Sequence, residues 1–252
     1  MNVRIKEVLI EKFRKATNKL VLLDYDGTLV NYALIPNNAV PSEQLLNVLI
    51  KLVGKLDTKV IIISGRGHRE IDKLLGHLPI KIIAEHGAMI KENGVWKKQV
   101  VDSNSWKNAI VPLLNQLTLK CNGSYVEEKY FSLTWHYRNA ISSSGYDHSR
   151  ELISLIEKYT GLYNLKILDG NKVVEIMSRE IGKGKSVKKI LEQDNFDYIL
   201  SIGDDATDEE IFELFLPDAN SFTIKVGNGN TFAKYKFDSV SEVVLFLNEL
   251  AG

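Results

Sequence analysis

The sequence predicts an α/β fold: a parallel sheet covered by helices on both faces, interrupted by an inserted α+β unit. Three observations predict it. Short aliphatic runs alternate with helix-like segments toward both ends of the chain. Polar residues follow several of those runs directly, as in "LVLLDYDGTLV" at residues 20–30. Between the two alternating halves, residues 97–178 change to strands of alternating polarity.

Taken in order, "MNVRIKEVLIEKFRKATNK" mixes charges into an apolar period and reads as an amphipathic helix, with Val3, Val8, Leu9 and Phe13 among its apolar positions. Leu20–Leu23 reads as a strand, Ser42–Leu56 as a helix behind Pro41, Lys59–Ile63 as a β-branched strand, Arg69–Leu75 as a short helix and Ile80–Ala84 as a strand. The rhythm returns with a helix at Ser186–Glu192, a strand at Tyr198–Ile202, a helix at Asp208–Phe215, a strand at Phe222–Val226 and a helix at Ser241–Leu250. Ligands of such sheets gather beyond the carboxyl ends of the strands. Asp24, Ser64, Glu85 and Asp204 are therefore expected along one edge.

In the middle region, Ser103–Leu117 and Ser149–Tyr159 read as helices, and Tyr130–Arg138 and Lys172–Met177 as half-buried strands. In "YFSLTWHYR" the apolar set is Phe131, Leu133, Trp135 and Tyr137, and the polar set is Ser132, Thr134, His136 and Arg138. One face is expected on a core and the other as a polar row. The expected domains are a core of 1–96 with 179–252 and an insertion of 97–178.

The 252 residues carry 32 basic and 32 acidic side chains. A net charge of zero provides no long-range field for nucleic acid or an anionic membrane, so an anionic ligand needs a local cluster. Cys121 is the only cysteine, which excludes an intrachain disulfide and suits a reducing, cytoplasmic setting. Apolar runs such as Val60–Ile63 are far too short to span a bilayer, and the N-terminus lacks a signal-peptide core. His68, His77 and His148 lack zinc-ligand spacing.

Four stretches stand in order: Asp24-Tyr25-Asp26-Gly27-Thr28, Ser64-Gly65-Arg66, Lys183, and Gly203-Asp204-Asp205-Ala206-Thr207-Asp208. Each alone has a plainer use, as a turn, a helix cap or a surface charge. Together they resemble the four motifs of haloacid-dehalogenase-type phosphatases, which implies a Rossmann-like parallel core with an inserted α+β cap. The resemblance implies Asp24 as nucleophile, Asp26 as acid and base, Ser64 and Lys183 on the phosphoryl group, and Thr28 orienting Asp26 or an oxygen in transfer. It also implies Mg²⁺ held by the Asp24 carboxylate, the Asp26 carbonyl and Asp204, with Asp208 supporting and Asp205 a further candidate. The chemistry asks for these types: a phosphate monoester repels nucleophiles, so charge must be neutralised, attack aligned and the leaving oxygen protonated.

Further stretches, "IIAEHGAMI", "SLTWHYRNA" and "KVVEI", resemble trehalose-6-phosphate phosphatases, in particular the phosphatase domain that follows a synthase domain in bifunctional trehalose enzymes. That resemblance implies a sugar-phosphate substrate and a fused or associated trehalose-phosphate synthase as partner. It places substrate contacts at Gly65, Arg66, Glu85, His86 and Gly87, and on the cap at Lys129, Ser132, His136, Arg138 and Glu175. The cap would close over the sugar and exclude water. The chain departs from the family at Met177-Ser178-Arg179, where Arg-Pro is frequent, and at Ala140–Gly145. Two rivals remain: a phosphatase for another sugar phosphate, such as sucrose phosphate, and a catalytically inactive regulatory domain.

Overall fold

The computed structural model describes residues 1–33, 35–100 and 104–252. In chain order the elements are α1 (Val3–Lys15), β1 (Lys19–Leu23), α2 (Glu43–Val53), β2 (Thr58–Ile63), α3 (His68–Leu75), β3 (Lys81–Ala84), β4 (Met89–Glu92), β5 (Val95–Lys98), α4 (Lys107–Lys120), β6 (Tyr125–Glu128), β7 (Ser132–His136), α5 (Ser142–Leu162), β8 (Leu165–Gly170), β9 (Val173–Ser178), α6 (Lys183–Leu191), β10 (Tyr198–Gly203), α7 (Ala206–Leu214), β11 (Ser221–Val226), β12 (Tyr235–Phe237) and α8 (Val240–Ala251). Short 3-10 turns lie at Pro36–Asn38 and Glu85–Gly87. The chain divides into two units, Met1–Lys98 with Gly182–Gly252, and Gln99–Ile181.

The first unit carries an eight-stranded sheet in the order β12-β11-β10-β1-β2-β3-β4-β5. The strands from β12 to β3 are parallel, and β4 and β5 extend the edge as antiparallel strands. β1 lies between β10 and β2, with Leu23 opposite Ile202 on one side and Ile62 on the other. All residues of β1 and β10 are buried, as central parallel strands that are largely apolar should be. Chain order runs outward in opposite directions from this pair, so the carboxyl ends of β1, β2 and β10 form the crevice where ligands of such sheets bind. Leu20, Leu22, Ile61, Ile63 and Ile83 pack with Val187, Ile190 and Ile211 of α6 and α7.

Side chains cap the starts of α1, α2, α7 and α8. Ser42 Oγ accepts from the Leu45 N–H at 3.2 Å ahead of α2, and Asn2 Oδ1 accepts from the Arg4 N–H at 2.9 Å ahead of α1. The apolar stripe of α1 is Leu9, Ile10 and Phe13. Val3 and Val8, expected within that stripe, are 70% and 44% exposed, because the helix phase turns them outward. The β4–β5 hairpin is absent from the sequence reading, although Asn93-Gly94 announces it: both residues have positive φ, 51° and 79°, as a tight hairpin turn requires.

The second unit is an antiparallel sheet in the order β6-β7-β9-β8, with α4 and α5 packed on it. Its core joins Trp106, Ile110 and Leu114 to Trp135, Leu152 and Ile176. α4 starts at Lys107 rather than Ser103, which lies outside the described residues, and α5 runs 21 residues, well past both expected ends. β6 and β8 are too short or too charged to stand out as strands in the sequence. The polar side of β7 is no solvated row: Ser132 and Thr134 are each 2% exposed. Among the described residues, no helix is long and apolar enough to cross a membrane.

Candidate active site

β1 delivers Asp24 to the sheet edge, where its N–H donates to the Ile202 carbonyl at 3.0 Å. The chain then turns sharply. The Tyr25 carbonyl accepts from the Leu29 and Val30 N–H groups at 2.9 and 3.1 Å, while the Tyr25 side chain is wholly buried with its hydroxyl on the Ala39 carbonyl at 3.0 Å. Gly27 has a φ of +80°, and a Cβ there would lie 2.2 Å from Asp204 Oδ2. Position 27 therefore needs glycine both for its backbone angle and for the close approach of Asp204. Thr28 is fully buried, and its hydroxyl has no hydrogen-bond partner among the described residues, so of its two expected roles the contact with Asp26 is not made.

Lys183, the first residue of α6, is 1% exposed and bridges two carboxylates: its Nζ donates to Asp24 Oδ1 at 2.8 Å and to Asp208 Oδ1 at 2.9 Å. The other Asp208 oxygen accepts from the N–H groups of Asp204 and Asp205 at 3.0 and 3.2 Å. Asp205, a further candidate for the metal, serves instead as the N-cap of α7. Its Oδ1 accepts from the Thr207 N–H at 2.8 Å and the Asp208 N–H at 3.2 Å, and from the Thr207 hydroxyl at 2.6 Å. Burial opposes the Lys183 charge, but Asp208 and Asp24 outweigh it and hold the ammonium well above its usual range. Burial, followed by the charges of Asp204 and Asp205, raises the Asp24 carboxyl despite Lys183. Burial and the neighbouring charges of Asp205 and Asp208 push Asp204 up to about 7. One lysine cannot neutralise so many acids, and the residual repulsion calls for a cation.

The donor set fits one. Carboxylate oxygens of Asp24, Asp204 and Asp208 lie within 4.8 Å of one another. Both Asp208 oxygens are already bonded, which leaves Asp24 and Asp204, and Asp204 Oδ1 is buried without a hydrogen-bond partner among the described residues. An all-oxygen set of this kind suits a hard divalent ion.

At the end of β2, Ser64 is 1% exposed, and its Oγ accepts from the Arg66 N–H at 3.1 Å, which leaves its hydroxyl proton for another acceptor. Gly65 must be glycine because a Cβ would meet the His86 ring at 2.5 Å. His86 lies in the buried Glu85–Gly87 turn, where all three residues have positive φ (51°, 55° and 116°). Such strain persists where surrounding structure enforces it, often at functional sites. Two of the expected substrate contacts hold protein partners. Glu85 Oε1 meets His68 Nδ1 at 2.8 Å, and Arg66 grips Asp26 through Nε–Oδ2 at 2.6 Å and Nη2–Oδ1 at 2.7 Å.

In the second unit, cross-strand register places Glu127, Thr134 and Glu175 side by side on one sheet face. Glu175, 6% exposed, accepts from Lys129 Nζ at 2.9 Å and from Ser132 Oγ at 2.6 Å. His136 meets Glu127 at 2.7 Å and stacks on Tyr125 with ring centroids 4.5 Å apart. Burial opposes the Glu127 charge, and the His136 bond and Lys129 outweigh it to hold the carboxyl below its usual range. Arg138 lies past the end of β7 and donates to the Asn171 carbonyl at 2.8 Å, off the strand row where it was expected.

Three side chains escape the sequence reading. Glu127 joins the polar row, and only the alternation of "YVEE" could have signalled it. The Tyr32 hydroxyl donates to Asp204 Oδ2 at 2.9 Å, and Lys225 Nζ donates to the Asp204 carbonyl. Neither has a local signal, because β1, β10 and β11 meet only in the folded sheet.

A model of the trehalose-phosphatase family matches residues 22–241. The chain is 38% identical over 247 residues to the UDP-forming alpha,alpha-trehalose-phosphate synthase B of Dictyostelium discoideum, covering 96% of this chain and 31% of that protein. It is 37% identical over 237 residues to the bifunctional trehalose-6-phosphate synthase/phosphatase of Thermoproteus tenax, covering 92% of this chain and 32% of that one. It thus spans about a third of these relatives' length. Among solved structures, the C-terminal domain of Candida albicans trehalose-6-phosphate phosphatase superposes with a TM-score of 0.92 at 26% identity, covering 98% of this chain and 96% of that one. With a matched region running from β1 to α8 and the acids and lysine of the motifs assembled around one crevice, the chain belongs to the trehalose-phosphatase family.

Proposed function

We propose that the chain hydrolyses trehalose 6-phosphate to trehalose and phosphate through an aspartyl-phosphate. The observation that carries the chemistry is Asp24, 7% exposed at the end of β1, held by Lys183 and close to Asp204, whose Oδ1 has no partner among the described residues. An Asp24 oxygen attacks phosphorus, the P–O bond to the sugar breaks, and the leaving oxygen takes a proton from Asp26. Water then attacks the aspartyl-phosphate, Asp26 accepts its proton, and phosphate and the Asp24 carboxylate are released. Lys183 keeps Asp24 oriented and offsets charge in the phosphoryl group, and the Ser64 hydroxyl donates to a phosphoryl oxygen. Asp24, Asp204 and the Asp26 carbonyl would hold Mg²⁺, with Asp208 ordering Lys183 and the 203–205 backbone. The ion supplies charge neutralisation and a clamp on the phosphoryl group.

Family membership supports the choice of sugar, and the row formed by Glu127, Lys129, Ser132, His136 and Glu175 has the acceptors and donors that many-hydroxyl ligands need. A trehalose-phosphate synthase, fused or associated, is the partner in keeping with the relatives' names. Phosphate release is measured across trehalose 6-phosphate, sucrose 6-phosphate, glucose 6-phosphate and p-nitrophenyl phosphate, with Mg²⁺ and with chelator. Trehalose 6-phosphate should have the highest kcat/KM, with turnover lost in chelator. A preference for another sugar phosphate rejects the substrate, and no release from any rejects the enzyme.

A further inference from the structure

Arg66 is 7% exposed, so its charge is carried away from water and its N–H groups need partners. Two of them take Asp26: Nε donates to Oδ2 at 2.6 Å and Nη2 to Oδ1 at 2.7 Å. Nη2 also donates to the Pro36 carbonyl at 2.8 Å. The guanidinium lies against the buried Tyr25 ring, 5.2 Å from its centroid. The backbone of Arg66 is pinned as well, with its N–H on Ser64 Oγ at 3.1 Å and its carbonyl accepting from the Glu85 N–H at 3.0 Å. One side chain thus ties the loop after β2 to the loop after β1 and to the Pro36–Asn38 turn. It ends in a two-bond fork on a carboxyl that is itself 26% exposed.

A guanidinium reserved for the substrate would keep its fork for an anion. This fork is closed on Asp26. We propose that Arg66 is a positioning residue which, given the acid–base role proposed for Asp26, aims that carboxyl for proton transfer and holds the carboxylate it becomes. When the ester bond breaks, the O–H bond of protonated Asp26 breaks, an O–H bond forms on the leaving sugar oxygen, and negative charge appears on Asp26. The Arg66 N–H groups already face the oxygens where that charge develops. Their hydrogen bonds are stronger to the charged carboxylate than to the protonated carboxyl, so they favour the proton-donating step over the ground state. A lysine cannot replace the planar two-bond grip.

The test compares leaving groups. Trehalose departs as a poor leaving group that needs the proton, whereas p-nitrophenolate departs without it. kcat/KM reports the steps up to phosphoryl transfer and leaves out the later hydrolysis, so it is measured on both esters for wild type, Arg66→Gln, Arg66→Lys, Asp26→Asn and the double variant. Arg66→Gln should lose about 10²-fold on trehalose 6-phosphate and less than about tenfold on p-nitrophenyl phosphate. Free guanidinium at a non-denaturing concentration should restore part of the sugar-ester loss. In the Asp26→Asn background the same change should cost less than about threefold. Equal losses on both esters would make Arg66 a phosphoryl contact and overturn the proposal, as would unchanged kinetics. If melting curves show that Arg66→Gln does not hold its fold, Arg66→Lys carries the same comparison. Equal losses for Asp26→Asn on both esters reject the acid role of Asp26 itself, whereas a selective loss there without one at Arg66 rejects Arg66 alone.

Discussion

The two units assemble their polar clusters in opposite ways. In the first, the residues come from several strand ends and helix starts, and Lys183 reaches Asp24 across 159 residues of sequence. In the second, the cluster is a row of cross-strand neighbours, Glu127, Thr134 and Glu175 in register on one face. The first cluster concentrates charge of one sign beyond what its lysine can offset, and burial raises the carboxyls of Asp24, Asp204 and Asp208. The second pairs its polar groups internally, Lys129 with Glu175 as an ion pair and His136 with Glu127 through a hydrogen bond. Unbalanced negative charge suits a cation, which in turn can hold an anion; internally paired groups suit a neutral, many-hydroxyl ligand.

The largest expected effect strikes the first cluster alone. Asp24→Asn should cut turnover on the order of 10⁴-fold or more, equally on trehalose 6-phosphate and p-nitrophenyl phosphate, with the melting temperature held. Substrate-dependent loss would blur the division between the units. Lys183→Met should destabilise by about 3–5 kcal/mol, because it leaves buried carboxylates without their cation; at about 2–4 °C per kcal/mol the melting temperature falls by roughly 10 °C. A change within a degree or two would mean the acids are neutralised some other way.

Cation binding has a definite pH sign. Asp204 is raised to about 7, so between its unfolded value near 3.8 and 7 the folded state binds more protons than the unfolded one. Stability of the metal-free protein should therefore fall as pH rises through that window. Mg²⁺ removes the repulsion, and at a hundred times its Kd stabilises by about 2.7 kcal/mol. Calorimetric melting should show a larger Mg²⁺ shift at pH 8 than at pH 5, and equal shifts would remove the carboxylates as ligands. The smallest effect belongs to the second cluster: Glu175→Ala should lower kcat/KM on trehalose 6-phosphate by about 10–100-fold and leave p-nitrophenyl phosphate nearly unchanged.

The acids, hydroxyl and lysine of the first cluster stood out in the sequence as polar residues after apolar runs, in the order of a family they resemble, and the fold brings them to one sheet edge. The paired second cluster was half legible: alternation in "SLTWHYR" marked Ser132 and His136, but Glu127 sat in a strand too short and charged to announce itself. Other positions misled. Arg138 fits the alternation yet falls beyond the strand end, and Asp205 fits a metal motif yet caps a helix.

Residue order alone thus pointed to the parallel-sheet core and to the acids, hydroxyl and lysine gathered at its edge, since hydrophobic period and short motifs are local properties of the chain. Tertiary structure decided the partners. Arg66 closes on Asp26 from 40 positions away, Tyr32 on Asp204 from 172, and Ser132 on Glu175 from 43. Such pairings depend on strand register and on the path of loops, which arise only when distant segments share one sheet.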